Sequence, residues 1–373
     1  MQIVVGTSRL AVLCVVAMSA ALSTKSVQTQ SKPAEWRLTQ TAAVGDGSNT
    51  VILEDVLSVQ LLKNGRVAIA DAKAKSVVVA DSMGRALPAL GRTGAGPAEY
   101  RSPQALATIG DTIAVLDPGN ARIGLFNTKG EWQGEWRSQP ITGDAGVRLF
   151  RVSSGEFYNY GYRVEGKKAL TIFIRFDKGG PQDTIVPSDL PPPPGVITCH
   201  TEDRRIWSFS SVFQKKHLRI PGPGSSILDA ETDSYRIVQS SAGSTATTTF
   251  VGSGIRAPLG NAEWDSTTAG FRNFVQKYSA AGCTQSSMPK PPTKPAVRAF
   301  WWDDTGRLWV ERYVANGFAF DVFAKNGTQI ATMPAPNRVA DVEPSVVGSR
   351  LALLTVGNDG IPIVRVYRFG AGN

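Results

Sequence analysis

The chain has 373 residues, of which 42% are hydrophobic and 19% charged, with 37 glycines and 23 prolines. That balance excludes a disordered chain and an all-helical one, and points to a turn-rich, all-β protein. The formal net charge is +9, yet Lys and Arg are scattered without a run of five, which describes a solvated basic surface and not a specific nucleic-acid site.

Arg9, the apolar or small stretch Leu10 to Leu22, and small residues at Ala20 to Ser23 together read as a secretory signal cleaved after Ser23. The stretch is about 13 residues, short of the roughly 20 a bilayer span requires. Cys14 follows Leu13, where a lipobox has a small residue, so lipid attachment is not expected. Cleavage removes Arg9, takes the formal charge from +9 to +8, and leaves Cys199 and Cys283 as the two cysteines, a pair that an oxidising compartment can join. The expected product is residues 24–373, one monomeric domain in the periplasm or outside the cell with no membrane span.

Glu35 to Thr39, with Trp36 and Leu38, is the first expected strand. A repeated pattern follows: tight turn, strand ending in an acid, short loop, strand rich in β-branched or aromatic residues, Gly turn. The first copy has Asn64-Gly65, Val67 to Asp71, Ser76 to Ala80 and Gly84; the second has Gly110-Asp111, Ile113 to Asp117, Arg122 to Phe126 and Gly130; a later one has Gly306, Leu308 to Glu311, Phe318 to Phe323 and Gly327. Its most countable strand recurs six times, at Val77 to Ala80, Ile123 to Phe126, Leu170 to Phe176, Tyr235 to Val238, Phe320 to Phe323 and Ile363 to Tyr367. The glycines that follow are Gly84, Gly130, Gly179, Gly243, Gly327 and Gly370, at gaps of 46, 49, 64, 84 and 43 residues. The short gaps suit a propeller blade of roughly 40–50 residues. The gap of 64 contains Pro191 to Pro194 and an unassigned stretch from Cys199 to Ser211. The gap of 84 contains an insertion of about 256–295 with a helix near 261–282. There Phe271, Phe274, Val275 and Tyr278 share one face, expected to pack on the repeats, with Gly282 as the stop.

Gly91 to Tyr100, followed by Pro103, resembles the G-x-x-G-x-G-P-G-E-F signature of exported bacterial six-bladed propellers related to NHL repeats. Ala98 and Tyr100 depart from it where the pattern has Gly and Phe. Asp117 with Asn120 to Ile123, Gly306 to Val310, and Val364 to Phe369 extend the resemblance over most of the mature chain. It implies an all-β six-bladed β-propeller of four-stranded antiparallel blades, closed by the N-terminal strand beside the last C-terminal ones, but no single activity. The glycines of the signature are not a phosphate loop, since Pro97 and Ala98 stand where Lys and Ser or Thr would be needed.

In that architecture the loops between second and third strands share a face with the crossovers between blades, and every long connection falls there. Binding is therefore expected on that face. Its candidate ligand contacts are Asp71, Asp117, Arg163, Asp233, Arg312 and Asp359. The function expected is a non-catalytic exported scaffold for a glycan, peptide or protein, with no cofactor. The alternative, implied by resemblance to propeller lactonases, is a hydrolase holding a calcium-like ion on oxygen ligands such as Asp71, Asp117 and Asn120. Histidine chemistry is weaker, because His200 and His217 are the only histidines, and no G-x-S-x-G elbow or Cys-His motif is present.

Overall fold

The structure is a computed structural model that describes residues 32–48, 51–138, 148–153, 155–166, 168–187, 195–202, 205–278 and 282–371. The signal-peptide reading and Pro191 to Pro194 lie outside the described residues. The protein is mostly β, and its sheets are mostly four-stranded and antiparallel. Sheet 1 comprises Val56–Leu61, Val67–Asp71, Ser76–Ala80 and Ala86–Leu90. Sheet 2 comprises Ala105–Ile109, Thr112–Asp117, Arg122–Asn127 and Trp132–Arg137. Sheet 3 comprises Leu149–Arg151, Phe157–Glu165, Lys168–Asp177 and Gly180–Ile185. Sheet 4 comprises His217–Gly222, Ser226–Glu231, Arg236–Ser241 and Thr247–Val251. Sheet 5 comprises Ala299–Trp302, Leu308–Val314, Gly317–Phe323 and Gln329–Ala335. Sheet 6 takes Ser345–Val347, Arg350–Val356 and Pro362–Ala371 from the C-terminus and its fourth strand, Ala34–Val44, from the N-terminus.

The repeat pattern explains these sheets. Second strands such as Val67–Asp71 are buried along their whole length, which suits a continuous apolar run covered on both faces. Outer strands such as Trp132–Arg137 alternate half-buried with exposed residues, the period-two pattern of a strand with one wet face. Each of the six countable strands is the third of its sheet.

Buried apolar residues join the sheets in succession. Val77 and Phe126 belong to one cluster of sheets 1 and 2, Leu116 and Phe176 to one of sheets 2 and 3, and Phe173, Ile237 and Phe300 to one of sheets 3, 4 and 5. Trp309 and Phe369 link sheets 5 and 6, and Val364, Val44 and Val59 link sheet 6 back to sheet 1. The N-terminal strand pairs antiparallel with the last strand from Trp36↔Ala371 to Val44↔Val364, and its first residues pair parallel with sheet 5 at Ala34↔Ala331 and Glu35↔Thr332.

Gly84 shows why a turn glycine is needed: its φ is +84°, and a Cβ there would lie 2.2 Å from the Ala43 carbonyl of the N-terminal strand. Gly370 departs from expectation. It lies inside Pro362–Ala371 opposite Arg37, so no turn follows it; the fourth strand of that sheet comes from the other end of the chain.

The unassigned stretch also acquires structure. Ile197–His200, Ile206–Phe209 and Gly282–Cys283 form a small antiparallel sheet, and the Cys199–Cys283 disulfide crosses it with Cα atoms 4.0 Å apart. The helix α1, Asn261–Lys277, packs Phe271 and Phe274 against Ile197, Cys199 and Phe209 of this small sheet, not against the repeats as its aromatic stripe had suggested. Trp264, two turns nearer the helix start, makes the contact with the repeats through a cluster with Phe213, Leu259 and Tyr313. Tyr278 is partly exposed beside Phe274, and the helix ends at Lys277, before Gly282. The two long insertions are therefore one cap, tied by a covalent bond.

Candidate functional site

Three cations occupy equivalent places in successive sheets. Arg148, Lys216 and Arg298 each immediately precede the first strand of sheets 3, 4 and 5. The strand ladders fix them: Tyr160 N donates to Arg148 O, Lys216 N donates to Thr232 Oγ1 at 2.9 Å, and Arg298 N donates to Glu311 O at 2.8 Å. All three line one cavity of about 500 Å³, together with Phe213, Tyr313 and Phe318. Glu263 and Thr267 of α1 form part of its wall, so the cap encloses it from one side.

The charges at this mouth are unevenly compensated. Arg298 Nη1 donates to Glu311 Oε1 at 3.0 Å and its guanidinium stacks 4.2 Å from the Phe318 ring. Arg338 is buried; its Nη2 donates to Glu311 Oε2 at 2.7 Å, and Nη1 donates to the carbonyls of Val339, Ala340 and Val342. Glu311 is itself fully buried between the two arginines. Lys294 is engaged by Glu263 at 2.8 Å. By contrast, the side chains of Arg148 and Lys216 make no hydrogen bond or ion pair among the described residues. Burial pushes the Lys216 ammonium below its usual range, only partly offset by the distant Asp341 charge, which marks a cation short of a partner. Burial likewise raises the Tyr313 phenol to about 12.

A smaller cavity of about 150 Å³ shares Arg148, Leu218, Ala299, Arg338, Ala340 and Asp341 with the mouth and is lined also by Phe150, Arg219 and Glu343. Arg219 Nε donates to Asp229 Oδ2 at 2.9 Å, and His217 contacts the other oxygen of Asp229. The Glu343 carboxyl is pushed up to about 7 by burial, against the attraction of Arg148, Arg151 and Arg338.

The residues expected to meet a ligand lie elsewhere. Asp71 and Asp117 are fully buried, and each accepts main-chain N–H groups of the crossover entering its own sheet: Glu54 and Asp55 for Asp71, Arg101 and Ser102 for Asp117. Asp117 also accepts from Asn120 Nδ2 at 2.7 Å. The two aspartates thus sit in separate sheets with their oxygens committed, so the oxygen set Asp71, Asp117 and Asn120 does not assemble around one point. Among the described residues no group of three His, Cys, Asp or Glu side chains is placed to hold a metal ion. Arg312 donates to the buried Asp321 at 2.8 Å, alongside Tyr235 and Thr332. Arg163 pairs with Glu165, Asp233 with Arg256, and Asp359 accepts Ile361 N in a turn; all three are exposed. None of the six lines either cavity. His200 is exposed on the small sheet.

The missed residues carried a signal. Aligning the repeats on the residue before the first strand, in place of the loop after the second, brings Arg148, Lys216 and Arg298 into one column.

The glycine-rich segment is a crossover from sheet 1 to sheet 2. Arg92–Thr93 pairs with Glu99–Tyr100, Glu99 accepts Gly96 N and Arg92 Nε at 2.8 Å each, and Arg122 Nη2 braces the loop through the Glu99 carbonyl at 2.7 Å. Ala98 adopts φ +56°, a left-handed conformation that accounts for the glycine the resembling pattern carries there.

No protein-family model matches the chain, and no curated protein does. Among solved structures it is similar to a candidate exported protein of Bacteroides fragilis, with 12% identity and a TM-score of 0.47 over 91% of this chain and 96% of that one. It is also similar to virginiamycin B lyase from Staphylococcus aureus, with 12% identity and a TM-score of 0.42 over 89% and 99%, and to the calcium-binding protein regucalcin from Agrobacterium tumefaciens, with 14% and 0.39 over 90% and 96%. The architecture described above rests on this chain's own strand pairings. Among the described residues, no helix is long and apolar enough to cross a membrane.

Proposed function

We propose that the chain is an exported, monomeric six-bladed β-propeller related to NHL-repeat proteins, closed by its N-terminal strand, and that it serves as a binding scaffold for an anionic ligand at the mouth beneath the cap. The closed ring is supported by the sequence of interfaces from sheet 1 to sheet 6 and back, and by the pairing of the two chain ends in one sheet. The secretory reading of residues 1–23 and the disulfide in the cap agree with an oxidising compartment.

One observation carries the ligand assignment: three repeats place a cation at the same position facing one cavity, and two of the three charges have no partner among the described residues. Lys216 is half-buried and Arg148 exposed at the cavity, and a partly desolvated cation without a counter-charge is stabilised by a bound anion. Phe213, Tyr313 and Phe318 supply apolar contact, so the ligand combines an anionic group with a flat or apolar body. A volume of about 500 Å³ is in the range of small-molecule sites and accommodates a short oligosaccharide or peptide segment. The test is binding of the mature chain to uronate oligosaccharides and to short Glu-containing peptides, with Arg148→Glu and Lys216→Glu variants. Binding that is lost in both variants and weakened by salt supports the reading; binding that survives both overturns it.

A further inference from the structure

Asp341 lines the mouth and also the smaller cavity, is exposed, and makes no hydrogen bond or ion pair among the described residues. It lies on the crossover from sheet 5 to sheet 6, between Ala340 and Val342, whose carbonyls both accept from Arg338 Nη1, at 3.1 and 2.9 Å. Arg338 is in turn fixed by the buried Glu311. The main chain on either side of Asp341 is therefore held by a buried guanidinium, and the carboxylate is presented from a fixed position. The other acid of the mouth, Glu263, is taken by Lys294 at 2.8 Å, and Glu343 lines the smaller cavity but not the mouth. The unpartnered cations stand on other elements, Arg148 before the first strand of sheet 3 and Lys216 before that of sheet 4, and neither forms an ion pair with Asp341.

We infer that the mouth takes a zwitterion: a short peptide whose free amino terminus meets Asp341 and whose carboxylates meet Arg148 and Lys216. The inference rests on the proposed mouth function and names the ligand class within it. Free charges of both signs line one cavity without bonding one another, which leaves between them a place for a molecule that carries the opposite charges in the same order. The body between the two ends meets an aromatic wall, in which the Tyr313 ring lies 5.6 Å from that of Phe213 and 5.4 Å from that of Phe318. An oligouronate carries one sign of charge only. It gains the two cations but brings its carboxylates toward Asp341, which repels them, so the same acid that receives an ammonium selects against a plain polyanion.

The experiment uses the mature chain and three probes, at constant ionic strength and about pH 6.5, where an α-amino group is protonated. The probes are the dipeptide Phe-Glu, its N-acetyl form, which keeps both carboxylates and lacks the ammonium, and trigalacturonate; calorimetric titration reads each affinity. Phe-Glu is expected to bind most tightly, and acetylation should weaken it by about five- to tenfold, the worth of one charge-assisted contact that stays partly in water. In Asp341→Asn, an exposed and nearly isosteric change, the free dipeptide should fall to the level of the acetylated one, while the acetylated dipeptide and trigalacturonate hold or gain affinity because a like charge has gone. Lys216→Glu should abolish binding of all three. Equal binding of free and acetylated dipeptide by the parent, or a free-to-acetyl ratio unchanged in Asp341→Asn, would overturn the inference. Trigalacturonate binding that is lost in Lys216→Glu, with no binding of the dipeptide, overturns it too but leaves the mouth reading in place; no binding of any probe overturns both.

Discussion

Replacing Arg338 with Met tests whether the crossover between sheets 5 and 6 is held by a buried ion network. Arg338 satisfies both oxygens of the fully buried Glu311 jointly with Arg298, and also three main-chain carbonyls. Methionine fills much of the volume but leaves Glu311 with Arg298 alone. Breaking one side of a buried pair costs about 3–5 kcal/mol, because the remaining charge has lost both water and partner. At about 2.1 cal/mol/K per residue, a chain of this size has an unfolding entropy near 0.7 kcal/mol/K, so a loss of about 4 kcal/mol lowers the thermal midpoint by roughly 5–6 °C. Urea unfolding at 25 °C gives the free energy directly. In the double variant with Glu311→Gln, the buried charge is gone, and the combined loss should fall short of the summed single losses by about 1–3 kcal/mol. Additive single effects, or a cost below about 1 kcal/mol for Arg338→Met, would refute the network as a fastening.

Further expectations follow from other sites. Ala98→Gly relieves a left-handed non-glycine residue and should stabilise by up to about 1 kcal/mol in urea unfolding, net of the entropy that glycine adds to the unfolded chain. Raising the Glu343 carboxyl to about 7 from the ordinary 4.5 means the folded state holds a proton that the unfolded state releases; this stabilisation is complete below about pH 4.5 and disappears as pH rises through 7. Its size is on the order of 3 kcal/mol, and a parent and Glu343→Gln pair with the same stability slope between pH 5 and 8 would contradict it. Removing the disulfide with Cys199→Ser and Cys283→Ser should speed hydrogen exchange in Ile197–His200 and in α1 while leaving the strands of sheets 1 and 2 protected. The loop it closes spans 84 residues, so the entropic contribution is about 4.6 kcal/mol at most.

Much of the scaffold was legible because its signals are local. An apolar run such as Val67 to Ala70, bounded by Asn64-Gly65 and Asp71, specifies strand and turn within a few residues, and repetition then counts the units. Trp36 and Leu38 marked an N-terminal strand, and the structure pairs it with the last C-terminal one. The helical stripe of Phe271 and Phe274 was readable for the same reason, since a periodicity of 3.6 requires no knowledge of what lies opposite. What lies opposite was not readable: the stripe met a small sheet whose strands come from residues 197–209 and 282–283, far apart in the chain and too short to stand out.

The amino-acid order by itself determined a turn-rich repeated antiparallel unit, a basic surface and a helical interruption, all of which follow from preferences acting over one turn of chain. Only the tertiary structure decided which polar groups are available for chemistry. Asp71 and Asp117 look like site residues in sequence, yet the crossover amides that saturate them lie 15 to 17 residues away. Arg148, Lys216 and Arg298 look like scattered surface cations, yet the packing of three sheets turns them toward one cavity. The physical reason is that a side chain's chemistry depends on whether its charge has been answered by a partner, and partners are brought together by long-range packing.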